Sequence, residues 1–314
     1  MAAPIISPAR STAPATSCSG SGKSAAVTDT EHSTPPAVLI GLIGAGIQAS
    51  RSPALHEREG RTQGLSYQYR LIDLDVLNLA AAALPELLLA ARRFDFAGLN
   101  ITHPCKQAVI PLLDRLSPDA AAIGAVNTVV FGADGRTTGH NTDWSGFAES
   151  FDRTLADAPR ARVAQLGAGG AGSAVAHALM TLGVENLAIV DTDRARATGL
   201  ADDLCRRFGA DRAVATDDAA RVIATADGLV NTTPVGMVGH SGMPVPRDSL
   251  RPDLWVADVV YFPLETELLS AARSIGCRTM NGGMMAVFQA VGAFRLFTGL
   301  EPDADRMIRH FASM

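Results

Sequence analysis

A chain of 314 residues with a formal charge of −5 and no basic stripe has nothing with which to replace phosphate counterions, which argues against a nucleic-acid partner. No apolar run approaches the length of a membrane span, which argues against a membrane partner. Cys18, Cys105, Cys205 and Cys277 are scattered without a C-x-x-C pair or metal-ligand spacing, so they read as free thiols of a soluble, cytoplasmic chain, with no metal site expected.

The length allows two domains. An apolar content of 47%, with few aromatics and abundant Ala and Gly, suits helices packed closely on a parallel sheet. Met1 to Pro36, rich in Ser, Thr, Ala and Pro, lacks apolar periodicity and is expected to be a disordered tail. Its Gly20-Ser-Gly22-Lys23-Ser24 imitates the end of a P-loop. Ser17 stands where the first glycine belongs, and neither a strand nor a helix flanks it, so that reading is rejected. Order begins with an apolar strand, Ala37 to Ile43. The loop that follows reaches Ser50-Arg-Ser52-Pro53, with Pro53 at the first helical position and Ser52 as its cap. Gly44 and Gly46 resemble half of a dinucleotide turn, but this loop is too long for one. Ser50 and Ser52 have two readings: caps, or hydroxyls at a helix N-terminus suited to a carboxylate.

Tyr67 to Ile72 alternates as a strand, and Val76 to Arg93 reads as an amphipathic helix. Phe96 to Ile101 is a strand that runs into the polar turn Thr102-His-Pro104-Cys-Lys106. A lysine there is either a solvated loop residue or sits at the carboxyl edge of a sheet, where open α/β sheets bind ligands. Asn127 to Phe131 and Thr137 to Asp143 give further strand ends, with Asp143 an N-cap candidate for a helix over Trp144 to Leu155. His103 and His140 have no third ligand in reach of metal spacing.

The run Val163 to Leu166 stops at Gly167-Ala168-Gly169-Gly170-Ala171-Gly172, and helix formers follow from Ser173 to Leu182. Strand, tight turn and helix fit the G-x-G-x-x-G fingerprint. Gly167 serves the turn, Gly169 lets backbone approach a pyrophosphate, and Gly172 allows close helix–strand packing. A second strand, Asn186 to Val190, ends at Asp191, about 20 residues on, where a ribose-binding acid belongs. Strand–helix alternation continues through Gly228 to Asn231 and Trp255 to Asp258. After Gly282 the pattern is helical only, over Gly282 to Thr298 and Asp303 to Ser313.

Several blocks together resemble the shikimate/quinate dehydrogenase family: Ser50-Arg-Ser52-Pro53, Gly98-Leu-Asn-Ile-Thr-His-Pro-Cys-Lys106, Gly124-Ala-Val-Asn127-Thr, Gly139-His-Asn-Thr-Asp143, Asn231-Thr-Thr-Pro-Val-Gly236, Asp258-Val-Val-Tyr261-Phe-Pro and Gln289 in the last long helix. The resemblance spans nearly everything after Pro36. It implies an α/β protein of two domains, with an N-terminal substrate domain over 37–142, a Rossmann dinucleotide-binding domain over 143–281, and residues 282–314 returning to the first. By the same resemblance, Lys106 and Asp143 carry the acid/base chemistry. Ser50 and Ser52 hold a substrate carboxylate, and Thr102, Asn127, Tyr261 and Gln289 complete the ring contacts. Gly167, Ala168, Gly169, Gly170, Ala171, Gly172, Asp191, Arg196, Thr232, Val259, Gly282 and Met285 line the dinucleotide. The expected partners are shikimate or quinate and NAD, with the chain a monomer or homodimer.

NADP-using members typically carry Asn-Arg-Thr after the second Rossmann strand, where this chain has Val190-Asp191-Thr192. Asp191 would accept ribose hydroxyls and repel a 2′-phosphate, so NAD is expected to be preferred. Arg194 and Arg196 keep NADP possible. A preference for NAD suits oxidation and the quinate/shikimate branch, whereas Ser-x-Ser is the shikimate pattern, so shikimate is the safer substrate. The alternatives are a strictly biosynthetic NADP enzyme, a methylenetetrahydrofolate dehydrogenase, against which Ser50, Ser52 and Asp143 argue, or a non-catalytic sensor, against which the retained Lys106 and Asp143 argue.

Overall fold

The computed structural model describes residues 36–314; the tail, with Cys18 and the Gly20–Ser24 stretch, lies outside the described residues. The chain runs β1 (Ala37–Gly44), α1 (Ser52–Thr62), β2 (Ser66–Asp73), α2 (Leu84–Arg93), β3 (Gly98–Ile101), α3 (Cys105–Ala108), β4 (Arg115–Leu116), α4 (Pro118–Ile123), β5 (Thr128–Phe131), β6 (Thr137–His140) and α5 (Asp143–Thr154). It continues through β7 (Arg162–Leu166), α6 (Gly170–Thr181), β8 (Asn186–Val190), α7 (Arg194–Phe208), β9 (Ala213–Ala215), α8 (Ala219–Thr225), β10 (Gly228–Asn231), β11 (Trp255–Asp258), α9 (Glu267–Ser274), β12 (Thr279–Met280), α10 (Gly282–Thr298) and α11 (Ala304–Ala312).

These elements make an α/β structure with two sheets. The first has the order β2-β1-β3-β5-β6-β4; β1 is parallel to β2 and β3, and β5 is antiparallel to both of its neighbours. The second, β12-β11-β10-β7-β8-β9, is parallel throughout. Its order reverses between β7 and β10, and such switch points are where open α/β sheets bind ligands. Apolar side chains of α5, α6 and α7 cover one face of this sheet, and those of α8 and α9 cover the other. The last helices return to the first sheet: Phe294 and Phe297 of α10 pack with Ile40, Leu42, Tyr67 and Tyr69, while α11 seals α10 and α1. No described helix is long and apolar enough to cross a membrane.

One expected helix is shorter than its pattern. Over Val76 to Arg93 only Leu84–Arg93 forms α2, because Pro85 has no N–H to donate to a preceding turn and so marks a start. Val76, Leu77 and Leu79 are exposed in the turn before it. Two short strands, β4 and β12, carried too few residues to show a periodicity.

The chain passes between the sheets twice, out through α5 and back into α10, and these helices cross closely. A Cβ on Gly146 would lie 2.8 Å from the Gln289 amide nitrogen and 2.9 Å from the Met285 carbonyl oxygen. Gly146→Ala forces the crossing apart and is expected to lower stability by about 1–3 kcal/mol. Urea unfolding of the variant and the parent checks this; equal midpoints would contradict it.

Candidate active site

Lys106 and Asp143 lie 37 residues apart, behind two different strands of the first sheet. Lys106 sits in the single turn α3 behind β3, and Asp143 opens α5 behind β6. Their side chains, 18% and 10% exposed, meet with Lys106 Nζ 2.6 Å from Asp143 Oδ2. Asn127 Nδ2 donates to the other oxygen, Asp143 Oδ1, at 2.9 Å and to Thr142 Oγ1 at 2.9 Å, while Asn127 Oδ1 accepts the Thr142 N–H at 2.8 Å. Asp143 is therefore not the cap of its helix. Asn141 Oδ1 takes the N–H groups of Asp143 and Trp144, which leaves the Asp143 carboxylate to Lys106 and Asn127.

The Ser50 loop is shaped by Asp73, the last residue of β2. Its carboxylate accepts from the N–H groups of Gly46, Ile47 and Asp75 and from Gln48 Nε2. Four donors on one carboxylate fix a loop with no secondary structure of its own. Ser52 begins α1 and is not its cap; Ser50 Oγ accepts the Ser52 N–H at 3.3 Å. Gly44 makes room for Thr102, because a Cβ there would lie 2.2 Å from Thr102 Cγ2. That close approach, and not a dinucleotide turn, explains the glycine. Tyr261, 38% exposed, sits beside Arg51 and Asp143, and burial is the main influence holding its phenol above the usual range. Gln289 lies on α10 where that helix meets Gly146, with Nε2 donating to the Ala286 carbonyl at 3.0 Å.

The glycine turn stands at the switch point, and each glycine there has a distinct geometric reason. Gly167 has φ +98°, and a Cβ on it would strike Thr232 Oγ1 at 2.7 Å. A Cβ on Gly172 would lie 2.4 Å from the Gly167 carbonyl oxygen, whereas one on Gly169 would meet nothing within 4 Å. The backbone at Gly169 thus borders open space at the start of α6, where free N–H groups and the helix dipole suit a pyrophosphate. A Cβ on Gly170 would touch the Lys106 side chain at 3.5 Å, so the turn and the charged pair share one cleft. Ala168 donates its N–H to Asp191 Oδ2 at 2.7 Å, and Asp191 Oδ1 accepts the Asp193 N–H at 2.8 Å.

Other expected dinucleotide residues lie differently. Thr232 supports the turn from beneath, donating to the Leu166 and Gly167 carbonyls. Gly282 packs under Val259, where a Cβ would lie 2.3 Å from the Val259 oxygen. Met285 is buried in the core beneath the second sheet. Arg196 is exposed and 3.6 Å from Asp193, and Arg194 pairs with Asp217 at 2.8 Å.

Sequence reading missed Gln165, which is fully buried on β7. Its Nε2 donates to the Gly167 carbonyl at 2.8 Å and the Gly172 carbonyl at 2.9 Å, tying the two ends of the turn together, while its Oε1 has no partner among the described residues. A polar residue inside an otherwise apolar strand was the available signal.

A dinucleotide turn opening onto a charged Lys–Asp pair defines a nicotinamide-dependent oxidoreductase acting on a CH–OH group. The comparisons with known proteins agree. Residues 42–129 match the shikimate dehydrogenase substrate binding domain, and residues 140–231 match the ThiF family. A shikimate dehydrogenase (NADP(+)) of Streptomyces avermitilis is 58% identical over 283 residues, covering 90% of this chain and 97% of the relative. A quinate/shikimate dehydrogenase (NAD(+)) of Corynebacterium efficiens is 54% identical over 280 residues, covering 88% and 98%. The solved structure of quinate dehydrogenase from Corynebacterium glutamicum in complex with NAD superimposes with a TM-score of 0.83 at 51% identity, covering 89% of this chain and all of that one. The chain belongs to the shikimate/quinate dehydrogenase family.

Gln165→Leu removes both donors to the turn together with an orphaned oxygen. The NAD dissociation constant is expected to rise about tenfold while the melting temperature stays level or rises. A lower melting temperature with unchanged NAD affinity, read by calorimetry and thermal denaturation, would contradict this.

Proposed function

We propose that this chain oxidises shikimate to 3-dehydroshikimate reversibly, with NAD preferred, and that quinate is a second substrate. The observation that carries the reading is the 2.6 Å Lys106–Asp143 pair set against Gly170 of the dinucleotide turn. Residues 37–142 with 282–314 would form the substrate side of the cleft, and 143–281 the dinucleotide side. The chain would act as a monomer or homodimer in the cytoplasm, a setting consistent with free Cys105, Cys205 and Cys277.

Bound NAD supplies the hydride acceptor. This chain's residues have to place the alcohol and move its proton. Ser50 and Ser52 would hold the carboxylate, with Thr102, Asn127, Tyr261 and Gln289 around the ring. Lys106 and Asp143 would share the hydroxyl proton: in the reducing direction Lys106 donates it to the carbonyl oxygen, and in oxidation the pair takes it back. Asn127, donating to Asp143 Oδ1, holds the carboxylate in place beside the lysine.

Cofactor choice falls on Asp191, which occupies the end of β8 and faces the turn through Ala168. A 2′-phosphate placed near this carboxylate meets a like charge, whereas ribose hydroxyls can donate to it. The two arginines that could offset that repulsion are each already beside a carboxylate. The Streptomyces relative, named for NADP(+), favours the second reading, in which the enzyme is biosynthetic and Arg194 or Arg196 leaves its partner for the phosphate.

Initial rates with shikimate and quinate, each with NAD and NADP, separate these readings. NAD is expected to give the higher kcat/KM, by at least about tenfold with shikimate. Higher efficiency with NADP would overturn the role of Asp191. Lys106→Ala is expected to lower kcat by about 10³-fold while shikimate affinity changes far less. Parallel losses in turnover and in equilibrium binding would remove Lys106 from the proton transfer.

A further inference from the structure

Tyr69 stands on β2, with two strands between it and β5, and no part of the proposed chemistry uses it. It is buried, and its phenol donates to Asn100 Oδ1 at 2.8 Å, with the Ser52 hydroxyl and Tyr261 close by. That bond orients the Asn100 amide. With its oxygen facing Tyr69, its Nδ2 points to Thr128 Oγ1 at 3.1 Å and the Asn127 carbonyl at 3.3 Å. Having received a hydrogen bond, the Thr128 hydroxyl gives its own hydrogen to Asn127 Oδ1 at 3.0 Å, and Asn127 Nδ2 is left to donate to Asp143 Oδ1 at 2.9 Å. Every bond in this buried series points the same way, from the phenol to the carboxylate, and each polarises the next.

We propose that Tyr69 is a positioning residue for the Lys106–Asp143 pair, acting through the directed series Tyr69–Asn100–Thr128–Asn127–Asp143. The proposal rests on the reading of that pair as the acid/base group. The series also joins the two ends of the substrate site, since Tyr69 borders Ser52 at one end and the series stops at Asp143. Tyr69 is well placed to keep its proton, because burial foremost holds its phenol above the usual range. The ring is seated on His56, with centroids 5.1 Å apart. Burial pushes that imidazole down to about 3, so no charge forms beside the phenol across the working range of pH.

Without the phenol, Asn100 is free to turn its amide over. The Thr128 hydroxyl then points at Asn100 rather than Asn127. Asn127 Oδ1 keeps only the Thr142 N–H and the weaker Thr142 hydroxyl contact, and its donation to Asp143 weakens. A carboxylate that loses part of a donated hydrogen bond is held less firmly in place beside Lys106. The other titratable groups facing Asp143 are Lys106 from α3 and Tyr261 from the segment after β11, with Arg51 beside Tyr261; none of them is altered by the change at Tyr69.

The test compares Tyr69→Phe, Thr128→Val and the double variant at saturating shikimate and NAD. Each single change is expected to lower kcat about fivefold while the KM values for shikimate and NAD stay unchanged. The double variant is expected to match the slower single one, because both changes break the same series. Losses that multiply in the double variant, or an unchanged kcat while only the KM for shikimate rises, would overturn the proposal. A parent chain that oxidises no shikimate, or a Lys106→Ala variant that retains turnover, would overturn the acid/base reading and the series with it. A normal parent, an inactive Lys106→Ala and an unchanged Tyr69→Phe overturn the series alone.

Discussion

The carboxylate of Asp143 lies where the first sheet hands over to the second, at the opening residue of the helix that leaves one for the other. One oxygen is held by Asn127 of the first sheet and the other by Lys106, whose side chain leans on the dinucleotide turn of the second. A buried charge that loses its partner costs several kcal/mol, so this junction constrains both halves at once. The helix behind it is held by the tight crossing with α10, and that crossing places Gln289 near the same cleft.

The dinucleotide turn shows the same economy in backbone. Gln165 on β7, Asp191 after β8 and Thr232 after β10 reach it from three directions, and all three bond to main-chain atoms. Asp191 takes the Ala168 N–H, and the backbone at Gly169 that follows borders open space. Burying an amide with an orphaned oxygen is costly in an apolar sheet. Its presence at Gln165 is understandable where the shape of a turn matters more than the stability of the strand.

Much of this was legible in the sequence because it lies in short-range pattern. The strands β1, β7 and β8, the glycine turn and the helix α10 each follow from apolar runs stopped by glycine or polar residues. The motif residues Lys106, Asn127 and Asp143 stood at strand ends, where a sheet gathers side chains from distant parts of the chain. What escaped was set by contacts across long separations. Thr142 rather than Asp143 is the N-cap, Asn141 takes the first N–H groups of the helix, and the Asp143 carboxylate is left to Asn127 and Lys106. Asp73 and Tyr69 on β2 look like ordinary strand residues until the neighbouring loop and the Asn100 amide are folded against them. The turn before α2 was read as helix because its apolar residues fit the period, and Pro85 decides otherwise by a local steric rule that periodicity does not contain.

Lys106 has one more property. Among the basic residues of the chain only Lys23 and Lys106 are lysines; every other is arginine, whose guanidinium keeps its proton throughout the range in which proteins work. Lys106 is therefore the single side-chain amine of the described residues, and it stands beside Asp143 in the cleft. Among the described residues, a reagent that seeks side-chain amines has one target. An isotope-labelled methyl group carried on Lys106 would be the single such signal from a side chain of the described residues.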